Sequence, residues 1–411
     1  MKTRLSLSFF VFLSCLLATG CSSFARQTES DPALSGDTVD IVLIANDQGE
    51  SQVFKLLLPE LARRNLSTQV LTMGQADTVF TTQKEVVRLN TLGSLSENAA
   101  NDRTQRLDKE TLERIATQLR PAIVVTGMSH AIQAQLANRF KTAGATTMAF
   151  YDNFDLVSQA QFAVPWLETT SGVDELLLPG HYQAVDAGKL PAFANSQISI
   201  SGNPALEQWD IVFLVANPVQ EKQRLALDPK RPVILFTGGY GDEYEHWLQL
   251  FLQAMAERPD LQVLIAPHPK TDGQLERSSV AALKLTNVSV RDGALSTAQL
   301  ATAADLVVTH KSTTGFQAAW QGLPVLFVAA DDYTNILIDA GLASRASSWQ
   351  QILNNVHRTI DQPRHRETVS FQTLGVPEQS LQRIADHLQT TRYQVVGAGS
   401  PILEQLQVEN N

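Results

Sequence analysis

The most informative stretch of the sequence reads Asp305-Leu306-Val307-Val308-Thr309-His310-Lys311-Ser312-Thr313-Thr314-Gly315-Phe316-Gln317. An apolar run of strand length is followed at once by hydroxyl side chains and a glycine, and a helical pattern begins at Phe316. Ligands of parallel α/β sheets bind beyond the carboxyl ends of the strands, so the polar part is a candidate binding loop. Its hydroxyls and Lys311 suit a phosphate group, whereas a simple helix cap accounts for only one of the hydroxyls.

Short apolar runs alternate with helical patterns on both sides of this stretch. A first series of predicted strands includes residues 39–45, 122–126 and 146–151, and a second includes residues 232–237 and 261–266. Repeated strand–helix alternation predicts an α/β fold with doubly wound parallel sheets. We expect two Rossmann-like domains facing a cleft, with these boundaries: an N-terminal domain at 37–216, a linker at 217–231, a C-terminal domain at 232–376, and a terminal helix and tail at 377–411.

Three further loops follow predicted strands and have suggestive chemistry. Gly238 and Gly239 permit close approach of a backbone or a phosphate, although a tight turn also explains them. In Pro267-His268-Pro269-Lys270 the prolines stiffen the loop, and His268 with Lys270 can bind phosphate oxygens. In the polar loop 46–51, before a helix expected from residue 53, Asp47 or Glu50 can supply a carboxylate base, or merely cap that helix.

Composition excludes several classes of protein. The 411 residues contain only Cys15 and Cys21, so the body of the chain has no disulfide, cysteine–zinc site, iron–sulfur site or cysteine nucleophile. The histidines show no paired metal-ligand spacing, and we expect no metal site. The net charge of −10 argues against nucleic-acid binding, which needs clustered cations.

The amino terminus has the pattern of an export signal. Lys2 and Arg4 precede an apolar run at residues 5–17, which is shorter than a bilayer span. Leu17-Ala18-Thr19-Gly20-Cys21 resembles the lipobox of bacterial lipoproteins. The resemblance implies cleavage after residue 20 and acylation of Cys21, followed by a flexible tether at 21–36. Because serines rather than aspartate follow Cys21, we expect the outer membrane of a Gram-negative bacterium, by analogy with enterobacterial lipoproteins.

Read together, four motifs resemble the GT-B superfamily, which contains glycosyltransferases, the UDP-N-acetylglucosamine 2-epimerase group and polyol-phosphate transferases. They are Gly202-Asn203-Pro204, residues 304–328, Pro267-His268-Pro269 and Tyr151-Asp152-Asn153. The resemblance covers most of residues 39–390. It implies a GT-B fold and a nucleotide-sugar donor as substrate, with no separate cofactor.

The resemblance also implies roles for individual residues. His268 would face the donor phosphates, with Lys270, Gly238 and Gly239 nearby, and the pyrophosphate would lie on Ser312, Thr313, Thr314 and Gly315. The residue two places after that glycine is Gln317, where many relatives have a glutamate that holds the ribose. The candidate base is one of three carboxylates: Asp47, Glu50 and Asp152.

Three functions remain open on the sequence. The first is a glycosyltransferase-like enzyme of envelope or surface polysaccharide metabolism; no acidic set matching the epimerases is visible. The second is a non-catalytic lipoprotein that binds glycan or envelope assembly machinery, because nucleotide sugars are made in the cytoplasm and an exported protein meets few of them. The third is a serine hydrolase, since Ser129 in Gly127-Met128-Ser129-His130-Ala131 follows a predicted strand, although the last glycine of GxSxG is missing.

Overall fold

A computed structural model describes residues 39–83, 85–92, 95, 102–241, 243–291, 293–361 and 371–397. The predicted signal peptide, Cys21, the tether and the residues after 397 lie outside this part. Two separate parallel sheets form the framework, as the strand–helix alternation predicts. The first has the order β3-β2-β1-β4-β5-β6-β7. Its strands are β1 (Ile41–Ala45), β2 (Thr68–Thr72), β3 (Val86–Arg88), β4 (Ile123–Thr126), β5 (Thr146–Phe150), β6 (Glu175–Leu178) and β7 (Gln197–Ile200).

The second sheet has the order β10-β9-β8-β11-β12-β13. Its strands are β8 (Val233–Thr237), β9 (Gln262–Ala266), β10 (Val288–Val290), β11 (Leu306–Thr309), β12 (Val325–Val328) and β13 (Ala343–Ala346). In both sheets the chain adds the second and third strands on one side of the first strand and all later strands on its other side. The strand order therefore reverses between β1 and β4 in the first sheet and between β8 and β11 in the second. The central strands β1 and β8 are buried at every position, as expected for sheets covered by helices on both faces.

Helices connect the strands and cover the sheets. The first half contains α1 (Gln48–Arg63), α2 (Ala76–Val79), α3 (Leu89–Leu92), α4 (Lys109–Gln118), α5 (Ala131–Thr142), α6 (Val164–Leu167), α7 (His181–Ala187) and α8 (Pro204–Glu207). The passage between the sheets contains α9 (Asp210–Val215) and α10 (Pro218–Arg224). The second half contains α11 (Tyr244–Ala256), α12 (Gln274–Ala282), α13 (Thr297–Ala301), α14 (Thr313–Trp320), α15 (Ile336–Asp339), α16 (Trp349–Ile360) and α17 (Ser380–Gly397).

The two halves share a hydrophobic cluster. Phe154 from the first half stacks on Phe316 of α14, with ring centroids 4.4 Å apart. Helix α17 returns to the first half, where Ile384 and Leu388 are buried in the core of the first sheet. Its charged residue Asp386 also pairs with Arg64 at the end of α1. The chain therefore crosses between the halves twice, which holds the two sheets in one body.

Two helices begin earlier than the sequence pattern predicts, and both changes affect the site. Helix α1 begins at Gln48, so Glu50 lies in its first turn rather than in a loop. Helix α14 begins at Thr313 with Ser312 as its N-cap. Within the predicted linker 217–231, α10 occupies residues 218–224.

Candidate functional site

Five strand ends meet at a cleft of about 400 Å³ between the two sheets. The first half contributes the loops after β1 and β5, and the second half those after β8, β9 and β11. This is the position expected for a ligand of doubly wound sheets. The lining residues from the first half are Asp47, Gln48, Gly49, Asp152, Asn153 and Phe162. Those from the second half are Gly238, Gly239, Tyr240, His268, Lys270, His310, Lys311, Ser312 and Thr313.

Asp47 lies at the centre of the charges in the cleft. One carboxylate oxygen accepts a hydrogen bond from Arg103 at 2.7 Å, and the other accepts from Lys270 Nζ at 2.9 Å. Burial alone would raise the pKa of Asp47, but the positive charges of Arg103 and Lys270 outweigh burial and hold it below its usual value. Asp47 is therefore an anion at neutral pH, and it neutralises a lysine that faces the cleft.

Glu50 is fully buried beneath the cleft and does not line it. Its Oε1 accepts from the backbone N–H groups of Asn46 and Asp47, and from Gln133 Nε2 at 2.6 Å. Its Oε2 is also buried and finds no hydrogen-bond partner among the described residues. Burial, reinforced by the neighbouring carboxyls, raises the pKa of Glu50 to about 8. Glu50 is thus a buried, largely neutral support for the loop after β1, and it does not reach a substrate in the cleft.

Asp152 follows β5, and the same loop places Asn153 in the cleft. The Asp152 side chain is partly exposed to the cleft, although protein surrounds it on most sides. Burial and the negative charge of Asp47 raise the pKa of Asp152 to about 7. A carboxyl with such a pKa exchanges protons near neutral pH, which is the property required of a general base or acid. Of the three candidate carboxylates, Asp152 combines access to the cleft with a suitable pKa.

Two glycines make room for these carboxyl groups. A Cβ on Gly49 would lie 1.8 Å from Asp152 Oδ2, and a Cβ on Gly127 would lie 1.8 Å from Glu50 Oε2. No side chain fits at such distances. The first turn of α1 and the loop after β4 therefore pack backbone directly against carboxyl groups.

His268 lines the cleft as a neutral donor. Its Nδ1 accepts a hydrogen bond from the backbone N–H of Lys270, so the ring proton is on Nε2. Burial and the adjacent Lys270 lower the pKa of His268 to about 4. The Tyr240 ring lies 4.5 Å from the imidazole and 4.8 Å from Lys270 Nζ. His268 and Lys270 are thus brought together as the sequence predicts, with an aromatic ring beside them.

The loop after β11 supplies hydroxyl groups and a lysine. Ser312 and Thr313 line the cleft at the amino end of α14, and Lys311 precedes them. The backbone of Lys311 is left-handed, with φ +48°. Strain of this kind persists where the surrounding structure holds it, often at binding sites. The arrangement presents a lysine, two hydroxyls and a helix amino terminus, which suits a phosphate group.

The other predicted members of that cradle do not line the cleft. Thr314 contributes its N–H to the Ser312 hydroxyl within the helix cap. Gly315 is buried, and a Cβ there would lie 2.8 Å from the Phe327 ring. Gln317 donates to the carbonyl oxygen of Ala205 at 2.7 Å, so its amide joins α14 to the first half.

Gly238 and Gly239 line the cleft, and their packing explains why both are glycines. A Cβ on Gly238 would lie 2.9 Å from the backbone nitrogen of His268. A Cβ on Gly239 would lie 2.8 Å from the ring of Tyr244. The loop after β8 therefore packs closely on the loop that carries His268 and still leaves its own backbone facing the cleft.

The structure gives no support to a hydrolase at Ser129. The side chain is buried, and its hydroxyl lies within hydrogen-bond distance of Asn46, Glu50 and Gln133. The adjacent His130 is also buried, and its Nδ1 caps α5 by accepting from Ile132 N–H. Ser129 thus belongs to the support of Glu50.

The sequence pattern did not single out Arg103, which bonds Asp47, or the lining residues Phe162, Tyr240 and His310 as site residues. Arg103 comes from an irregular segment and Phe162 from a short 3-10 helix (Gln161–Ala163), and the guanidinium lies 5.9 Å from the centre of the ring. His310 directly follows β11, so the rule of strand ends could have identified it. Its Nδ1 bonds the Val328 carbonyl at 2.7 Å, and burial lowers its pKa, so a neutral ring leaves Nε2 as an acceptor.

The described residues offer neither a cluster of metal ligands nor a membrane-spanning helix. They contain no group of three or more histidine, cysteine or acidic side chains arranged to hold a metal ion. In the same part of the chain, no helix combines the length and the hydrophobicity required to cross a bilayer.

Comparison with known proteins identifies the architecture. No protein-family model matches the sequence, and no curated protein matches it. Among solved structures, the chain is similar to the UDP-GlcNAc 2-epimerase of Methanocaldococcus jannaschii, with a TM-score of 0.61 and 11% identity over 86% of this chain and 100% of that one.

The UDP-GlcNAc 2-epimerase of Neisseria meningitidis, solved with UDP-GlcNAc bound, gives a TM-score of 0.56 at 14% identity over 87% of this chain and 100% of that one. The sucrose-phosphate synthase of Thermosynechococcus elongatus gives a TM-score of 0.56 at 14% identity over 90% and 100%. These structures span nearly the whole of the described chain and share its two parallel sheets. The chain therefore has the GT-B fold of glycosyltransferases and UDP-GlcNAc 2-epimerases.

Proposed function

We propose that the protein is an outer-membrane lipoprotein that binds a nucleotide-sugar donor in this cleft and transfers its glycosyl group to an envelope or surface polysaccharide. One observation carries the proposal: a carboxyl suited to proton transfer and a set of phosphate-binding groups line the same cleft of about 400 Å³. Asp152 comes from the first half, whereas Lys270, Lys311 and the start of α14 come from the second.

Each group has a defined part in the transfer. The acceptor hydroxyl attacks the anomeric carbon while Asp152 takes the hydroxyl proton. The bond from that carbon to the phosphate oxygen breaks, and the electron pair leaves with the diphosphate. His268 Nε2–H donates to a phosphate oxygen, and Lys270 and Lys311 offset the charge that develops there.

The pH dependence of transfer tests the assignment of the base. Asp152 must be ionised to accept a proton, so the rate should rise with pH through about 7, the pKa of this carboxyl. Asp152→Asn should lower the rate by about 100-fold or more and remove this rise, because general base catalysis typically contributes that factor. The assay measures the nucleotide that is released in the presence of polysaccharide acceptor. UDP and GDP sugars release UDP and GDP, and CMP sugars release CMP. An unchanged pH profile in Asp152→Asn would exclude Asp152 as the base.

A non-catalytic glycan-binding lipoprotein is the second candidate, and Gln317 is the observation that favours it. Its amide is bonded to Ala205, so the ribose contact implied by the family resemblance is lacking. A protein of this kind would bind polysaccharide in the cleft without consuming any donor. Polysaccharide binding that survives in Asp152→Asn, together with no donor turnover in the wild type, would favour this candidate.

A further inference from the structure

A patch of exposed apolar side chains lies where the chain passes from the first sheet to the second. It consists of Ile211, Leu214, Val215 and Val219, with exposed fractions of 76%, 85%, 79% and 53%, and is called the junction patch below. In the described part of the chain, the other well-exposed large apolar side chains are scattered: Val185, Ile200, Tyr240, Leu283 and Tyr393. An exposed cluster of this kind usually marks an interaction site.

The exposure of the junction patch follows from how α9 is held. Ile211, Leu214 and Val215 have the i, i+3, i+4 spacing of one helix face. From the same helix, Val212 and Phe213 pack on the core that joins the two halves. The helix is also pinned by Asp210, whose carboxylate accepts from the side chains of Trp320 at 2.9 Å and Gln321 at 2.6 Å. The outward direction of the patch is therefore built into the fold.

The charges around the junction patch are already engaged within the protein. In α10, Glu221 pairs with Arg224 at 2.7 Å, and Lys222 pairs with Asp305 at 2.8 Å. Asp210, the charged residue of α9, accepts from two neutral donors. No cation of these two helices is left to attract an anionic surface, so the patch suits a surface without net charge.

We propose that the junction patch docks on the zwitterionic phospholipid surface in which the acylated Cys21 is anchored. This inference rests on the lipid anchor in the proposed function but not on nucleotide binding. The 17 residues 22–38 link Cys21 to the folded body, and fully extended they reach at most about 60 Å. A tethered patch meets the membrane at a high effective concentration, so a weak apolar contact is well populated. Docking fixes the orientation of the cleft relative to the membrane.

The absence of cysteine after residue 21 allows a direct test. Leu214→Cys in the full mature lipoprotein places a single free thiol in the junction patch for an environment-sensitive fluorophore. Leu283→Cys, at an exposed leucine on α12's carboxyl end, is the matched control. Both labelled proteins are added to phosphatidylethanolamine–phosphatidylcholine vesicles that contain spin-labelled lipid. We expect several-fold greater quenching at position 214 than at 283.

Three other outcomes would overturn the proposal. The label at 214 could remain in water while the protein is bound to vesicles. Its emission could shift without lipid as protein concentration rises, which would indicate that a second copy of the chain covers the patch. If the intact mass of the mature protein showed no acyl chains, Cys21 would not be a lipid anchor. Nucleotide binding by the Leu214→Cys protein is measured separately, so failure of docking is distinguishable from failure of the cleft.

Discussion

Asp47 and Lys270 lie 223 residues apart in the chain, and their charged groups meet across the cleft at 2.9 Å. The ion pair joins the loop after β1 to the loop after β9, and therefore joins the two sheets. Because Lys270 is also a candidate ligand for donor phosphate, a bound donor must share or displace its contact with Asp47. The cleft thus carries its own counter-anion for Lys270.

Loss of the Asp47 carboxylate should destabilise the fold. Asp47→Asn leaves two partly buried cations, Arg103 and Lys270, without their anion, and we expect a loss of about 1–3 kcal/mol in the free energy of unfolding. Denaturant unfolding measures it. The control is Asp386→Asn at a more exposed ion pair with Arg64, where about 0–1 kcal/mol is expected. Equal losses in the two variants would contradict the central position of Asp47.

Glu50 should make the protein less stable in alkaline solution. Its pKa is raised to about 8 in the folded protein, whereas the unfolded chain has the ordinary carboxyl value. The folded state then binds more protons than the unfolded state between those values, so stability falls as pH rises. As pH rises from about 5 to about 8, the fall in free energy of unfolding should be smaller in Glu50→Gln than in the wild type. A fall of the same size in both proteins would show that Glu50 is not held neutral.

Gly127 should not tolerate a methyl group. A Cβ there would lie 1.8 Å from Glu50 Oε2, and Gly127→Ala should destabilise the protein by about 1–3 kcal/mol or more. Gly188→Ala is the matched control, because its Cβ would meet neighbours only at 3.4 Å or beyond. Thermal or denaturant unfolding compares the two variants. A Gly127→Ala protein as stable as Gly188→Ala would contradict the packing of Glu50.

Cys21 should determine the location of the protein in the cell. Cys21→Ser should abolish acylation and move the protein from the membrane fraction to the soluble fraction, since the proposed anchor consists of acyl chains on that cysteine. Intact mass and fractionation measure the two effects. Cys15→Ser serves as the control and should leave both unchanged, because residue 15 lies in the predicted signal peptide. A Cys21→Ser protein that stays in the outer membrane would disprove the anchor.

The fold was accessible from the sequence because buried parallel strands are nearly continuous apolar runs. Residues 41–45 and 233–237 are such runs, and the structure places them at the centres of the two sheets. Strand β13 (Ala343–Ala346) was missed because its sequence, Ala-Ser-Arg-Ala, is short and polar at a sheet edge. Helix α16 could have been found, since Ile352, Val356 and Ile360 recur at the helical spacing of four.

The site was only partly accessible, for reasons of geometry. His268, Lys270 and Ser312 follow strands directly, so the rule of strand ends brings them together correctly. The rule cannot show direction: Glu50 turns into the protein and Gln317 turns toward Ala205. It also cannot find Arg103, which reaches Asp47 from an irregular segment. Contacts of that kind depend on tertiary packing and leave no local pattern.

Donor binding to the cleft is the central claim, and calorimetry of the mature protein with UDP, GDP and CMP sugars tests it most directly. We predict binding of at least one donor, and a loss of about 10-fold or more in affinity in both His268→Ala and Lys270→Ala, because each removes a hydrogen bond to phosphate. The exposed Lys189→Ala variant should bind as the wild type does. No heat with any donor, or unchanged affinity in both cleft variants, would contradict the account.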